Sequence, residues 1–353
     1  MALLDRLPKL RLPGGNYAYV NARVKARKRN LLTGDAYPKL MKMGPGQIAR
    51  LLGETAYREE MLRLASRYEG DELLEMALND NLARTYRDVL GFCKGDLRGM
   101  VRAYLDRWNV WNFKTVLRGV QHGVPPDETL EEIVPAGSLS RADFEAMLAL
   151  GSVEAIIQHV KDMGYDVPPT ETLEAYGKDR NLGPIEDFYD KNYYARLLGS
   201  IKGGSKPTKI YRDFVKTEID VANSKNLLKL MLEGVDAARI PGYMIAGGKA
   251  LGADRLAELA SASPDEALAG IKKALDDELG GAKSSDGASA VALALDRHLL
   301  RLAEHRSHIY PLSVLPVVNF IMRKKEEVDF IRLIVRGKSG GIPDKTIQEM
   351  IMT

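Results

Sequence analysis

The feature that most constrains this chain is a recurrence. Three landmarks return in the same order, at spacings of roughly a third of the chain, and such a period is the signature of a repeat architecture. The first landmark is a short helix after a turn: Pro45–Tyr57, then Val153–Tyr165, then Pro264–Asp276. Each opens on a helix-starting signal, either Pro at the first position or Ser just before it (Ser152, Ser263). The second is a longer amphipathic helix over Ala77–Leu90, Phe188–Ile201 and Leu293–His305, with Asp80, Asp190 and Asp296 in equivalent places. The third is YLDRWNVWNFKTVLRG (Tyr104–Gly119), matched by Phe214–Gly234 and Phe320–Gly337. Arg-Gly closes the first and third of these, at Arg118–Gly119 and Arg336–Gly337, where glycine suits the position just past a helix end.

Apolar residues fall at i, i+3 and i+4 almost throughout, and no alternating run bounded by turns argues for a strand. The fold class is therefore all-α, with three similar helical units over residues 1–125, 126–240 and 241–353; the boundaries fall where copies one and two end in VPP and RIPG. Each unit is too small for a large core of its own, so neighbours must supply much of the stability. The repeat itself is compatible with an open solenoid or with closure around a pseudo-threefold axis. The segment GGAKSSDGAS (Gly280–Ser289) reads as a flexible loop tip.

A polar ladder marks the third landmark. Asp106, Asn109 and Asn112 lie three residues apart and share one side of a helix. Buried amides left without hydrogen bonds cost roughly 1–3 kcal/mol each, so the ladder requires partners. Copy two repeats it as Asp220, Asn223 and Asn226; copy three loses it, and Lys324, Lys325, Glu326 and Glu327 stand there instead. The ladder reads as an internal helix–helix network that sets register, with a partner-binding surface as the alternative. Its loss marks the third unit as the place where threefold symmetry breaks.

The chemistry-bearing patterns are sparse. No G-x-x-x-x-G-K-[ST] is present; Gly247-Gly248-Lys249 and Gly281-Ala282-Lys283 lack the upstream glycine and the hydroxyl, so neither reads as a phosphate loop. His305 and His308, with Glu304 beside them, are better read as solvated or helix-capping groups than as metal ligands. Cys93, the only cysteine, lies beside Lys94 but has no identifiable base, and reads as a turn or core thiol. Adjacent carboxylates such as Glu131–Glu132 and Glu326–Glu327 read as solvated helix faces. No catalytic, cofactor-binding or metal-ligating residue is assigned.

A single cysteine excludes an internal disulfide and a four-cysteine zinc site, and fits a reducing compartment. The net charge of +3 is too small by itself to argue for nucleic acid. The basic stretch Asn16–Gly34, with Arg23, Lys25, Arg27, Lys28 and Arg29, reads as a core-packed helix with a solvated basic face near lipid head groups. The opening MALLDRLPKLRLPGG lacks a signal-peptide core. The longest apolar run, Ile309–Met322, is shorter than the roughly 20 residues a spanning helix needs and is broken by Pro311 and Pro316. The chain is expected not to cross a membrane.

Four stretches together carry a resemblance: NYAYVNARVKARKRNLL running into LTGDAYPKLM, the P-x-x-I-x-x-L-L-x-x-T-x-Y element at Pro45–Tyr57, the D-x-W-N…N-x-K-T-x-L-R-G helix at Asp106–Gly119, and E-x-x-x-I-R-L-I-x-R-G-K at Glu327–Lys338. With these, the chain resembles the C subunits of the archaeal A-type and bacterial V-type ATP synthases, relatives of the d subunit in the eukaryotic vacuolar enzyme. The resemblance spans essentially the whole chain. It implies a funnel of three helical units around a pseudo-threefold axis. It further implies a non-catalytic, cofactor-free protein joining the central stalk (D- and F-type subunits) to the proteolipid rotor ring for H+ or Na+ transport. Such a protein is peripheral to the cell membrane on its cytoplasmic side and binds no nucleic acid. A free-standing helical-repeat scaffold that binds proteins is the competing expectation.

Overall fold

The computed structural model describes residues 15–32 and 34–352, Met352 by its backbone alone. The opening stretch read for a signal peptide lies almost wholly outside the described residues. Every regular element is a helix, and the described residues contain no strand. In the first part of the chain run α1 (Tyr17–Lys28), α2 (Ala36–Met41), α3 (Pro45–Leu52), α4 (Arg58–Leu64), α5 (Gly70–Phe92), α6 (Gly95–Leu105) and α7 (Arg107–Gln121). The middle part holds α8 (Pro126–Glu131), α9 (Arg141–Leu148), α10 (Val153–Asp162), α11 (Thr170–Asp179), α12 (Gly183–Ser200) and α13 (Lys206–Leu232). The last part holds α14 (Ala253–Ala260), α15 (Pro264–Leu275), α16 (Ala288–Ile309), α17 (Leu315–Ser339) and α18 (Asp344–Met352).

Local chemistry accounts for the first landmark. Ser152 Oγ accepts from the backbone N–H of Ala155 at the start of α10, and Ser263 and Glu266 cap one another reciprocally at α15. Helix α10 then buries Val153, Ile156, Ile157 and Val160, the i, i+3, i+4, i+7 stripe. Each such side chain is worth about 1.5–3 kcal/mol against exposure. Helices α5 and α17 are buried around most of their circumference, and they pack on each other.

The third landmark is one 27-residue helix in copy two, α13, but is broken into α6 and α7 in copy one. The break falls at Asp106, whose carbonyl accepts from Asn109 N at 3.0 Å and Val110 N at 3.4 Å. Gly119 and Gly337 are not helix stops. Both lie inside their helices, where a Cβ would sit 2.5 Å from Thr129 Oγ1 and 2.7 Å from Ile347 Cδ1 respectively. They are glycines because a neighbour presses on the backbone. The stop glycines come one turn later: Gly123, Gly234 and Gly341, with φ of 66°, 74° and 68°.

Those three glycines set the register of the repeat, and the side chains obey it. Counting back from each brings together Lys114, Lys225 and Arg332. Lys114 pairs with Asp190 at 2.8 Å, Lys225 with Asp296 at 2.7 Å, and Arg332 donates to Asn79 at 2.6 Å. In each case the third-landmark helix reaches the second-landmark helix of the following copy, and from α17 the following copy is the first. The unit-one acceptor is Asn79, one residue before Asp80, which pairs with Arg63 instead. Helix packing has the same cyclic order: α7 on α12, α13 on α16, α17 on α5.

The basic N-terminal segment forms α1, which buries Tyr17, Val20, Asn21 and Val24 and packs on α17. Its basic face stays in part solvated, with Arg23, Lys25 and Arg29 exposed, while Arg23 and Arg27 lie over the Phe92 ring and Arg27 pairs with Asp88 at 2.9 Å. The Gly280–Ser289 segment is two short 3-10 turns rather than a bare loop, with Leu279 buried and Ser284 bonded to Asp265.

Candidate functional site

The polar ladder finds its partners in loops, not in a neighbouring helix. Asn112, fully buried on α7, donates from Nδ2 to Val134 O at 2.8 Å and accepts Val134 N at 3.1 Å. Asn223 on α13 makes the same reciprocal pair with Ile245, at 2.8 Å both ways, across an identical sequence separation of 22. One helical turn earlier, Asn109 Oδ1 accepts Leu139 N at 3.2 Å, and Asp220 accepts Leu251 N at 3.1 Å. A Cβ on Gly137 or on Gly248 would collide with these same oxygens, so glycine is what lets each loop lie against its clasp.

The aligned pairs are thus Asn109 with Asp220 and Asn112 with Asn223, one ladder step away from the alignment of Asp106, Asn109 and Asn112 with Asp220, Asn223 and Asn226. Asn226 is exposed, and Asp106 occupies the helix break. Burial raises the Asp106 carboxyl above its ordinary value, against the lowering contacts of Ser138, Arg102 and Arg196.

The Gly247-Gly248-Lys249 loop does cradle an anion, but an internal one. The Asp220 carboxylate accepts the backbone N–H groups of Lys249, Ala250 and Leu251 at 2.8–3.1 Å. Successive N–H groups aimed at one oxygen pair form an anion nest. Burial still outweighs them and raises the Asp220 pKa.

The third copy keeps the clasp, contrary to the loss read from its sequence. In register with Asn109 and Asp220 stands Glu327, and its Oε2 accepts Leu32 N at 2.6 Å. Its Oε1 accepts the Tyr57 hydroxyl at 2.5 Å and Lys324 Nζ at 2.6 Å. Glu327 and Lys324 are each 2% exposed, so this is a buried ion pair in place of an amide. Burial lowers the Lys324 pKa, and Glu327 opposes that. What copy three loses is the reciprocal amide: in register with Asn112 and Asn223 stands Phe330, set edge-on against Tyr37 with centroids 5.2 Å apart. The sequence signal missed was that Asn, Asp and Glu are all N–H acceptors, so the chemistry at the position stays the same across copies while its residue changes.

Three helices also meet at one place. Arg107, Glu218 and Lys325 are equivalent in the same register, and all three line a cavity of about 360 Å³ together with Lys225, Asp296 and Asp329. Arg107 pairs with Glu218 at 2.7 Å, donates to Tyr193 Oη at 2.9 Å and stacks on the Tyr104 ring at 3.7 Å.

The remaining candidates stay apart. Cys93 is buried, its thiol donates to Val89 O at 3.2 Å, and burial pushes its pKa up to about 12. His305 and His308 are exposed. Glu304 is occupied by Lys28 and Arg323. Among the described residues no three His, Cys, Asp or Glu side chains gather as a metal site. No helix among them is long and apolar enough to cross a membrane.

The fold and its clasps define a class: an all-helical protein in which α7 packs on α12, α13 on α16 and α17 on α5, with buried side chains of these helices clasping loop backbone. The chain matches the family model described as ATP synthase (C/AC39) subunit over residues 20–350, and it belongs to that family. It is 34% identical over 345 residues to the A-type ATP synthase C subunit of Haloferax volcanii, covering 96% of this chain and 98% of that one. It is 35% identical to that of Haloquadratum walsbyi, over 96% and 99% of the two chains. The corresponding protein of Methanosarcina acetivorans is 33% identical over 100% and 99%.

Proposed function

We propose that this chain is the non-catalytic adapter of an A-type ATP synthase, joining the central stalk of D- and F-type subunits to the proteolipid rotor ring. It carries torque between ATP chemistry in the soluble motor and H+ or Na+ movement in the membrane. In this reading it has no catalytic residue and no cofactor, and sits at the cytoplasmic side of the cell membrane, held through the ring. Residues 1–125, 126–240 and 241–353 are the three repeats, arranged about a pseudo-threefold axis as a funnel.

The observation that carries the reading is the cyclic order of the contacts, in a chain of this family. A torque-bearing adapter must transmit load around its whole circumference. The return of α17 to α5 and of Glu327 to Leu32 ties the end of the chain to its beginning. The same return speaks against a free-standing open scaffold, whose terminal repeats contact only their sequence neighbours. The central charged cavity, where Arg107, Glu218 and Lys325 converge, suits a polar helical partner on the axis.

The test is affinity capture of the tagged chain from detergent-solubilised membranes of its own source. Stalk subunits and the proteolipid should co-elute in fixed proportion. A chain that remains in the soluble fraction and captures neither refutes the proposal.

A further inference from the structure

We infer that the end of the molecule bearing the turns into α6, α13 and α17 binds an anionic phospholipid surface directly. Its lysines meet the headgroup phosphates, and Ile309 and Leu312 enter the headgroup layer. This goes beyond the coupling role and does not depend on it, since the partner is lipid and not another subunit.

The three turns are equivalent: in the register set by Gly123, Gly234 and Gly341, they lead into Gly95, Lys206 and Ser313. They are also neighbours. Helix α1 ties the first to the third, Asn16 bonding Phe92 O at 2.8 Å and Lys94 N at 2.9 Å while Asn21 bonds Pro311 O and Ser313 O. The second joins the third through Lys206, whose Nζ lies 5.7 Å from the centre of the Tyr310 ring.

Charge is concentrated at this end. Residues 16–34, 202–212 and 305–312 together hold ten Lys and Arg and no Asp or Glu, in a chain of net charge +3. The rest of the chain is therefore net acidic, and residues 122–132, beyond the far end of α7, hold four Asp and Glu and no Lys or Arg. Lys25, Arg29, Lys202, Lys206 and Lys209 are exposed. Of the acids nearby, Asp88 pairs with Arg27, and Glu304 with Lys28 and Arg323, while Asp96 and Asp213 stay exposed. A basic surface of this kind is drawn to anionic lipid.

The same end presents apolar tips. Ile309 is 52% exposed and Leu312 58%. The turn that carries them is held from behind: besides the Asn21 bonds, Ser313 Oγ donates to Tyr310 O at 2.7 Å and accepts Leu315 N at 3.2 Å. In register with Ile309 and Leu312 stand Gly91 and Lys94 in the first turn, and Lys202 and Ser205 in the second. The third turn thus carries aliphatic side chains where its equivalents carry glycine, serine or lysine. Aliphatic tips among lysines suit a membrane interface, where the apolar groups leave water and the ammonium groups stay at the phosphates. A polynucleotide offers phosphates but no apolar layer for the tips.

Co-sedimentation of the purified full chain with vesicles tests the inference, using phosphatidylcholine alone or with about a quarter phosphatidylglycerol. Binding is expected to the anionic vesicles only, weakening as salt rises. Lys202→Gln and Lys206→Gln should each lower the affinity about five-fold. Ile309→Ser combined with Leu312→Ser should lower it about ten-fold, while Leu62→Ser, at a 68% exposed site on α4, should leave it unchanged. An environment-sensitive fluorophore on Leu312→Cys should brighten on the vesicles; Cys93 is buried and escapes labelling. Failure to bind the anionic vesicles overturns the inference. So does binding that the paired serine changes leave intact, or equal affinity for a short DNA duplex. Loss of stalk and ring subunits from the affinity capture would bear on the coupling role and leave the vesicle result standing.

Discussion

Replacing Asn223 with Leu removes the clasp between α13 and the Ile245 loop while keeping the number and branching of side-chain heavy atoms. In the native protein the amide makes two hydrogen bonds, 2.8 Å each, and is fully buried. The substitution leaves one backbone N–H and one C=O of Ile245 without partners in the interior. At about 1–3 kcal/mol for each unsatisfied group the gross loss is about 2–6 kcal/mol. The added apolar surface returns about 1 kcal/mol, so the net destabilisation is about 1–5 kcal/mol. Asn112→Leu removes the corresponding pair with Val134 and should cost less, because Val134 O keeps the Ala136 N–H at 2.7 Å and only the Val134 N–H is orphaned. Urea unfolding followed by far-UV circular dichroism measures the loss, and amide exchange at Ile245 and Val134 locates it. A loss under about 1 kcal/mol with both amides still protected would show that the loops are held by apolar contacts and that the ladder is incidental.

Glu327→Gln leaves the Lys324 ammonium buried without its counter-charge and should destabilise by about 3–5 kcal/mol, whereas Lys324→Met added to Glu327→Gln removes the unpaired charge, keeps an acceptor for Leu32 and Tyr57 and should recover much of it; urea midpoints compare them. Glu304 is held down to about 2 from its ordinary 4.5: burial raises it, but the hydrogen bonds and charges of Arg323 and Lys28 prevail. Asp277 is likewise held at about 2, by His298 and Arg301 against burial. Both folded values lie below the unfolded ones, so their stabilisation is present above about pH 4.5 and lost as the pH falls towards 2. The melting temperature should drop across that window, and Glu304→Gln should flatten part of the drop. Gly119→Ala should destabilise by about 1–3 kcal/mol despite the better helix propensity of alanine, because Thr129 crowds the site through its Cβ. Gly337→Ala should cost less, since the flexible Ile347 tip can move aside; thermal melts of the two separate crowding from propensity.

Much of this was legible without coordinates. Ser152, Ser263, Pro45 and Pro264 announce their helices because capping is a local matter of a few consecutive residues. The ladder could be recognised as internal, since Asp and Asn on an apolar helix require partners. Its partners could not be: the N–H groups of Leu139, Leu251 and Leu32 carry no sequence identity. The fine register failed for the same reason. Asn223 and Asn226 both fit a three-residue ladder, and only Gly123, Gly234 and Gly341, set by φ, fix which asparagine faces inward.

An all-helical chain, its three landmarks and its family were all readable from the order of residues, because helix periodicity, caps and motifs are written in short stretches. Where α7, α13 and α17 go was not; the assembled fold places them against α12, α16 and α5. Nor was it written locally that a buried Glu327 accepts the Leu32 N–H between the two ends of the chain, or that residues 113–189 share a cluster of their own. Those choices depend on which surfaces meet across hundreds of residues. A carboxylate beside a lysine on a helix reads as solvated until the fold takes both out of water.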